Sequence, residues 1–434
     1  MNILTIVVAV LTSLSIVITC ILKPSIKIKN FNINLYWVIA LFGALILLFT
    51  TAISFKEVGE GLISNTSINP IKILVLFLSM TMISIFLDEL GFFATVANLV
   101  LRHTKKSQFK IFIAFYLLVA ILTMFTSNDI IILTFTPFII MFCKNAKISP
   151  VPYLVSEFCA ANTWSMMFII GNPTNIYLAE SFGVDFVSYF LMMAIPTLLA
   201  GIVEFSLLIL LFYKKLKTPI QHEIREVPSL NPFLTGFGLL ILVICTSMLV
   251  CSSYINLPMY LISAISLVTL TLGVLTYSIT MRVRPTELLN TYKRAPYELI
   301  PFVISMFVIV LALSKYNVTK EISEFLGSKY VCLSYGFSSL FMANLLNNIP
   351  MSVLYSSIES NLGDASLTGA LYASIVGSNI GAFITPVGAL AGIMWMGILK
   401  RHHVKYTFLD FIKYGVAIGV PVSSVAIITL LILS

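Results

Sequence analysis

Gly377-Ser378-Asn379-Ile380-Gly381, followed by Thr385-Pro386, stands in the middle of the apolar stretch 365–399. Gly171-Asn172-Pro173-Thr174-Asn175 interrupts the stretch 151–182 in the same way. Both stretches are too long for one straight helix, since roughly 20 apolar residues cross a bilayer. Glycine, asparagine and proline at their centres predict that each is a broken helix with unwound backbone at membrane depth. Such backbone survives only where it is buried in protein or lines a cavity. Two further apolar stretches, 109–142 and 331–359, carry polar clusters at their centres. These clusters are Thr126-Ser127-Asn128-Asp129 and Asn347-Asn348-Ile349-Pro350. Both stretches read as re-entrant hairpins that dip into the membrane and return on the same side.

Composition agrees with a membrane setting. Of 434 residues, 59% are apolar and 10% charged, against about 45–50% and about 25% in soluble domains. A soluble enzyme is excluded, and so is disorder, which needs low hydrophobicity and high net charge. Further spans are expected near 3–22, 35–55, 70–89, 187–213, 232–252, 258–281, 297–314 and 409–433. The whole is an all-α polytopic membrane protein with about ten spans and two hairpins. No Lys or Arg precedes Ile3 and no small-residue cleavage site precedes Lys23, so the first run reads as a retained span. The six cysteines are scattered without a C-x-x-C and read as apolar core thiols.

The net charge of +8 comes from 26 Lys+Arg against 18 Asp+Glu. The cations fall between apolar runs, where they set orientation and meet anionic lipid rather than nucleic acid. With the N-terminus outside, the clusters at 23–29, 102–110, 214–225, 282–294 and 400–405 all lie in inner loops. This obeys the positive-inside rule and predicts a multi-pass cell-membrane protein with both termini outside.

The order of elements repeats: three spans, hairpin, broken helix, span. Residues 69–80, NPIKILVLFLSM, also align with 295–306, APYELIPFVISM, at an offset of 226. Five spans per half is an odd number, so the halves sit inverted, as in secondary transporters. The expected division is 1–213 and 232–434, joined by a polar cytoplasmic linker at 214–231.

Asn172-Pro173 and Thr385-Pro386 each put a capping residue before proline, and Asn348 stands two before Pro350. Ser127 or Asn128 suits the cap of the first hairpin's returning arm. Up to four helix N-termini then point inward, which suits an anion or an oxygen-rich solute. Carbonyls freed at the breaks suit a monovalent cation. The candidate solute- or ion-binding residues are Thr126, Ser127, Asn128, Asp129, Asn172, Thr174, Asn175, Asn347, Asn348, Ser378, Asn379 and Thr385. Asp129 is the only carboxylate among the four motifs, and a membrane-depth acid is a functional hypothesis by default. It is the candidate proton carrier or cation ligand; the blander alternative is a partner of the hairpin's cap. Asp88 and Glu89 are expected solvated at a span end. Glu157 is expected to pair with Asn162 or a lysine, and Glu204 and Glu298 to be interfacial or structural. Trp164 and Trp395 are read as core filling beside the breaks. No H-E-x-x-H, G-x-S-x-G or Walker loop occurs, and His402-His403 point apart on a helix. No metal, no cofactor and no ATP hydrolysis within the chain are implied.

At these motifs the chain resembles the ion transporter superfamily, and most the arsenite permease branch. Ile85-Phe86-Leu87-Asp88-Glu89-Leu90-Gly91-Phe92-Phe93 resembles that branch's first-half signature, which gives Asp88 and Glu89 more weight. Asn347-Asn348-Ile349-Pro350 resembles its second hairpin tip. Val376 to Gly381 with Thr385-Pro386-Val387-Gly388 resembles its second broken helix, and Ala295-Pro296 before a span fits as well. The resemblance implies a homodimer working by an elevator mechanism. It implies export of arsenite or antimonite by ion exchange, sometimes with a separate ATPase subunit. Thr126-Ser127-Asn128-Asp129-Ile130 leans instead towards citrate and divalent-anion relatives. Gly171-Asn172-Pro173-Thr174-Asn175 is closer to the wider superfamily, and Asn379 stands where arsenite permeases tend to carry an acid. Three readings follow: a proton-coupled arsenite exporter, a sodium- or proton-coupled carboxylate or inorganic-anion transporter with a sodium/proton antiporter as its variant, and a channel or structural subunit.

Overall fold

Apolar composition forces helices here, because without water each backbone N–H and C=O must pair within its own segment. The computed structural model describes residues 2–23, 25–28, 31–63, 69–102, 107–217 and 230–433. It is helical apart from one antiparallel pair of strands, β1 (Ser25–Ile28) and β2 (Phe31–Asn34). That pair modifies the all-α expectation; it joins α1 (Asn2–Leu22) to α2 (Leu35–Phe49).

The first half continues through short α3 (Phe55–Ile63), α4 (Pro70–Glu89) and short α5 (Phe92–Arg102). Its hairpin is α6 (Gln108–Phe125) with α7 (Asn128–Asn145). The broken helix is α8 (Val151–Trp164) with α9 (Pro173–Ser181), and α10 (Phe186–Leu216) closes the half. The second half runs α11 (Pro232–Val250), one-turn α12 (Ser252–Ile255), α13 (Met259–Met281), α14 (Thr286–Arg294), α15 (Leu299–Lys315) and α16 (Val318–Leu326). Its hairpin is α17 (Val331–Leu346) with α18 (Asn348–Glu359). Its broken helix is α19 (Asp364–Gly381) with α20 (Leu390–Arg401), and α21 (Phe408–Leu433) ends the chain. Among the described residues, nine helical segments are long and apolar enough to cross a membrane.

The packing carries the internal symmetry. The contact of α2 with α15 is mirrored by α13 with α4, and α1 with α2 by α11 with α13. The contact of α7 with α20 is mirrored by α18 with α9. The pairs α4/α15, α8/α19 and α10/α21 meet their own counterparts. Two copies of one unit produce this pattern. Most of the linker expected at 214–231 falls outside the described residues.

Three boundaries differ from the sequence expectation. The span expected at 35–55 stops at Phe49. The first break opens earlier than its Gly-Asn-Pro motif: α8 ends at Trp164, and two 3-10 turns, Ser165–Met167 and Ile169–Gly171, lead to Pro173. The second break lies later, because Gly377 to Gly381 stay helical and the chain unwinds between Ala382 and Ala389. The glycines serve close packing instead. A Cβ on Gly377 would stand 1.9 Å from Ser339 Oγ and 2.6 Å from the Leu340 backbone nitrogen. Small residues are what let two membrane helices approach so closely.

Candidate functional site

The two broken helices meet in a buried polar knot centred on Asn379. Its Oδ1 accepts from Ser165 Oγ at 2.8 Å and from Asn172 Nδ2 at 2.7 Å. Its Nδ2 donates to Asn175 Oδ1 at 2.6 Å and to the Ile375 carbonyl at 2.8 Å. Thr174 and Ser378 hydroxyls lie 3.0 Å apart, and Asn175 also donates to the Ser165 carbonyl at 2.8 Å. Every member is sealed from solvent, with at most 1% exposure. Five predicted residues, Asn172, Thr174, Asn175, Ser378 and Asn379, therefore come together. Ser165 was missed, since a serine directly after a helix end carries no motif. The amide of Asn379 uses its hydrogen-bonding capacity within the protein, so in this conformation it joins the halves.

The hairpin tips are tied to the breaks. Asn128 Nδ2 donates to Asn162 Oδ1 at 3.0 Å, and the Asn162 carbonyl accepts from Ser165 Oγ at 2.7 Å. On the other side, Asn347 Nδ2 donates to the Val387 carbonyl at 3.0 Å, and the Asn348 backbone N–H to the Gly388 carbonyl at 2.9 Å. The expected caps change accordingly. Asn172 does cap α9 through the Thr174 N–H, but α18 is capped by Asn347 rather than Asn348. Ser127 occupies the cap position of α7 without a side-chain bond, and Thr126 bonds back to the Leu122 carbonyl. Thr385-Pro386 starts no helix, since α20 begins at Leu390. Ser127 Oγ, Asn128 Oδ1 and Thr385 Oγ1 are buried with no hydrogen-bond partner among the described residues, as is Asn344 Oδ1. These atoms, not the saturated knot, have valences free for a solute or cation.

A cavity of about 560 Å³ opens between the helices of the two halves. Its wall is largely apolar: Phe77 and Ile85 of α4, Ile130 and Leu133 of α7, Ile393 and Met394 of α20. The size suits a small-molecule site. Asp129 and Ser127 of the first hairpin tip line it, with Thr81 from α4. Asp129 is half-buried and has no hydrogen bond or ion pair among the described residues. Lys293 and Arg294 at the end of α14 line the same cavity, with Asn34, Tyr36 and Glu298. Glu298 accepts from Asn34 Nδ2 at 2.6 Å and Tyr36 Oη at 3.2 Å.

Several acids stand elsewhere than expected. Asp88 and Glu89 are not free in solvent: Arg294 binds Asp88 at 2.7 Å and also pairs with Glu89, to which Asn290 donates at 3.0 Å. Glu157 pairs with neither Asn162 nor a lysine; it meets Thr136 of α7 and Trp395 of α20. Glu204, expected to be interfacial or structural, is fully buried within α10 and bonded by Thr163, which fits the structural alternative. Trp395 packs on Phe158 and Phe411, the core filling expected of it. Among the described residues, no three His, Cys, Asp or Glu side chains are grouped to hold a metal ion.

The comparisons agree with this architecture. A Bacillus subtilis (strain 168) protein named provisionally as an arsenical pump membrane protein is 27% identical, over 87% of this chain and 90% of its own. An Escherichia coli arsenical pump membrane protein is 25% identical, over 82% and 84%. In fold, the chain is similar to the crystal structure of the YdaH transporter of Alcanivorax borkumensis. That likeness has a TM-score of 0.55 at 12% identity and covers 100% of this chain and 97% of the other. A family model described as a citrate transporter matches residues 31–373, which hold the first hairpin, the first broken helix, the second hairpin and part of α19. With that match over most of its length, this multi-pass membrane protein belongs to the citrate transporter family.

Proposed function

We propose that the protein is a secondary active transporter that exports a small neutral hydroxy acid, arsenite or antimonite, in exchange for protons. The observation that carries the reading is Asp129, an acid without an ion pair among the described residues, at a hairpin tip facing a largely apolar cavity. Arg294, one of the two cations lining that cavity, is already bound to Asp88 and Glu89. A multivalent carboxylate drawn near Asp129 would meet repulsion of about 4 kcal/mol per charge pair at 4 Å separation and an effective dielectric of ~20. A neutral acid meets none and exchanges hydrogen bonds with the carboxyl. The names of the Bacillus subtilis and Escherichia coli relatives support the same solute. The hairpins and broken helices, cross-tied at their tips, would move as one transport domain past a scaffold of the remaining spans, in an elevator cycle. This reading takes repeats at 1–213 and 232–434, both termini outside and a homodimer, and it leaves the cytoplasmic loops available to a separate ATPase subunit.

A second reading, a proton- or sodium-coupled carboxylate transporter, is favoured by the family's description and by Lys293 on the cavity wall. Arsenite accumulation in everted membrane vesicles separates the two. Under a proton gradient, wild type should accumulate arsenite and Asp129→Asn should not. Inserted, folded wild type that accumulates citrate but no arsenite would overturn the first reading.

A further inference from the structure

The carboxyl of Glu157 lies out of reach of the cavity, at 1% exposure, between α7, α8 and α20. Thr136 Oγ1 stands 2.9 and 3.1 Å from its two oxygens, and 2.6 Å from the Ile132 carbonyl. A threonine hydroxyl has one proton to give, and a backbone carbonyl only accepts. Thr136 is within donating distance of all three oxygens, and the shortest contact assigns its proton to the Ile132 carbonyl. The hydrogen bond between Thr136 and Glu157 then needs its proton from the glutamic acid. Trp395 Nε1, 3.4 Å from Oε2, is the remaining donor. We infer that Glu157 is a second proton-binding carboxyl of the moving core, holding its proton in this conformation and donating it to Thr136.

The surroundings fit a neutral acid. A buried charge without a partner is among the most unfavourable groups in a protein. The cations on the packed helices, Lys110, Lys144, Lys214, Lys215, Lys400 and Arg401, are exposed at their ends. Other titratable groups on these elements are engaged elsewhere. Tyr116 of α6 donates to the Gly201 carbonyl, and Glu204 of α10 is bound by Thr163. Tyr372 of α19 packs on Tyr189 of α10, and Tyr406 and Tyr414 stack on each other. Asp129 faces the cavity, and Cys143 of α7 is a buried thiol.

Position gives the proton a use. Thr136 lies seven residues beyond Asp129 on α7, about 10 Å along the helix. Leu133 and Met394, which line the cavity, are close in sequence to Thr136 and Trp395. Glu157 thus bonds the arm that carries Asp129 to a helix that walls the cavity. Loss of its proton, once movement of the core opens this site, would break the donation to Thr136 and loosen that arm. Calling the site second rests on the proposal that Asp129 is the first.

Infrared spectroscopy of the full-length protein in lipid tests this without any solute. A protonated carboxyl has a C=O stretch well above the amide band, and a carboxylate lacks it. Wild type should show such a band that is lost in Glu157→Gln, moves to higher frequency in Thr136→Val, persists in Asp129→Asn and declines as pH is raised. Identical wild-type and Glu157→Gln spectra would overturn the inference, as would a Glu157 band that never declines with pH. Because no arsenite enters the measurement, a failed transport assay leaves it standing. A band that never titrates, beside Asp129-dependent exchange, would sink the inference alone.

Discussion

Truncating Asn379 to alanine tests whether the polar knot holds the halves together. The substitution strands Asn172 Nδ2 and Asn175 Oδ1, neither of which has another hydrogen bond among those described. Ser165 keeps the Asn162 carbonyl as its acceptor. Two orphaned groups at ~1–3 kcal/mol each give about 2–6 kcal/mol. In a bilayer the unfolded reference also finds partners, and single bonds there reach at most ~1.7 kcal/mol. The expected loss is therefore about 2–3 kcal/mol. Domains of about 150–250 residues shift by ~2–4 °C per kcal/mol, and a longer chain by less, so the midpoint should fall by about 3–6 °C. Scanning fluorimetry of the purified protein in detergent, at one fixed heating rate, reads this shift. Asn344→Ala is the control, because among the described residues that side chain bonds only to the Leu340 carbonyl of its own helix. An unchanged midpoint for Asn379→Ala, or falls of equal size in both variants, would refute the argument that these bonds join the repeats.

Other expectations follow from single contacts. Asn347 caps α18 at φ +77° and ψ 150°, a region nearly confined to glycine. Asn347→Gly should be neutral or stabilising in the same scan, while Asn347→Ala should lose about 1–2 kcal/mol. Gly415→Ala would drive a Cβ to 2.2 Å from the Phe383 carbonyl oxygen, against the unwound second break. It should abolish the monodisperse peak in detergent chromatography. Arg294→Ala leaves the half-buried Asp88 and Glu89 without their shared cation, whereas Arg294→Lys keeps one of the two pairings. Alanine should lower the midpoint more than lysine does, with the difference shrinking in high salt. Outside the membrane, hydrogen bonds from Lys315 and then Ser54 hold the Glu57 carboxyl down at about 2, below its ordinary 4.5. A depressed carboxyl stabilises above its ordinary value and loses that contribution as pH falls towards 2. The midpoint difference between wild type and Glu57→Gln should stay constant from neutral pH to about 5 and shrink below it.

The hairpins, the broken helices and the repeating order were legible because each depends on composition over a long window. What was not legible turns on which of two chemically similar neighbours takes a role. Asn347 and Asn348 are the same residue type, and only the backbone turn decides that the first caps α18. Gly377 and Gly381 look like helix breakers, yet they stay helical because the facing α17 leaves no room for a side chain. Ser378 and Asn379, which elsewhere compete with a helix, bond back to the Ile375 carbonyl and so stay within it. Ser165 carries no motif, and Asn162, expected only as a partner of Glu157, instead accepts from the tip of the first hairpin and bonds Ser165 through its carbonyl. The partner of Glu157 lies on another helix, a pairing that no spacing within the chain encodes.

The symmetry of the fold also shows where the chemistry departs from symmetry. Asn162 and Asn379 stand at matching positions near the ends of α8 and α19, and each bonds back one turn at 2.8 Å, to Phe158 and Ile375. The returning hairpin arms both start on asparagine, at Asn128 and Asn348. The next residue is Asp129 in the first arm and Ile349 in the second. Five residues before the matched asparagines stand Glu157 in α8 and Ser374 in α19. Asp129 and Glu157 thus both belong to the first repeat, and the matching positions of the second hold apolar or hydroxyl side chains. In the proposed cycle two like hairpins build the movable core, and proton binding needs acids in only one repeat. On the proposed reading, the first hairpin carries the coupling. The second, strained at Asn347 and pinned to the backbone of the second break, completes the shape against which it works.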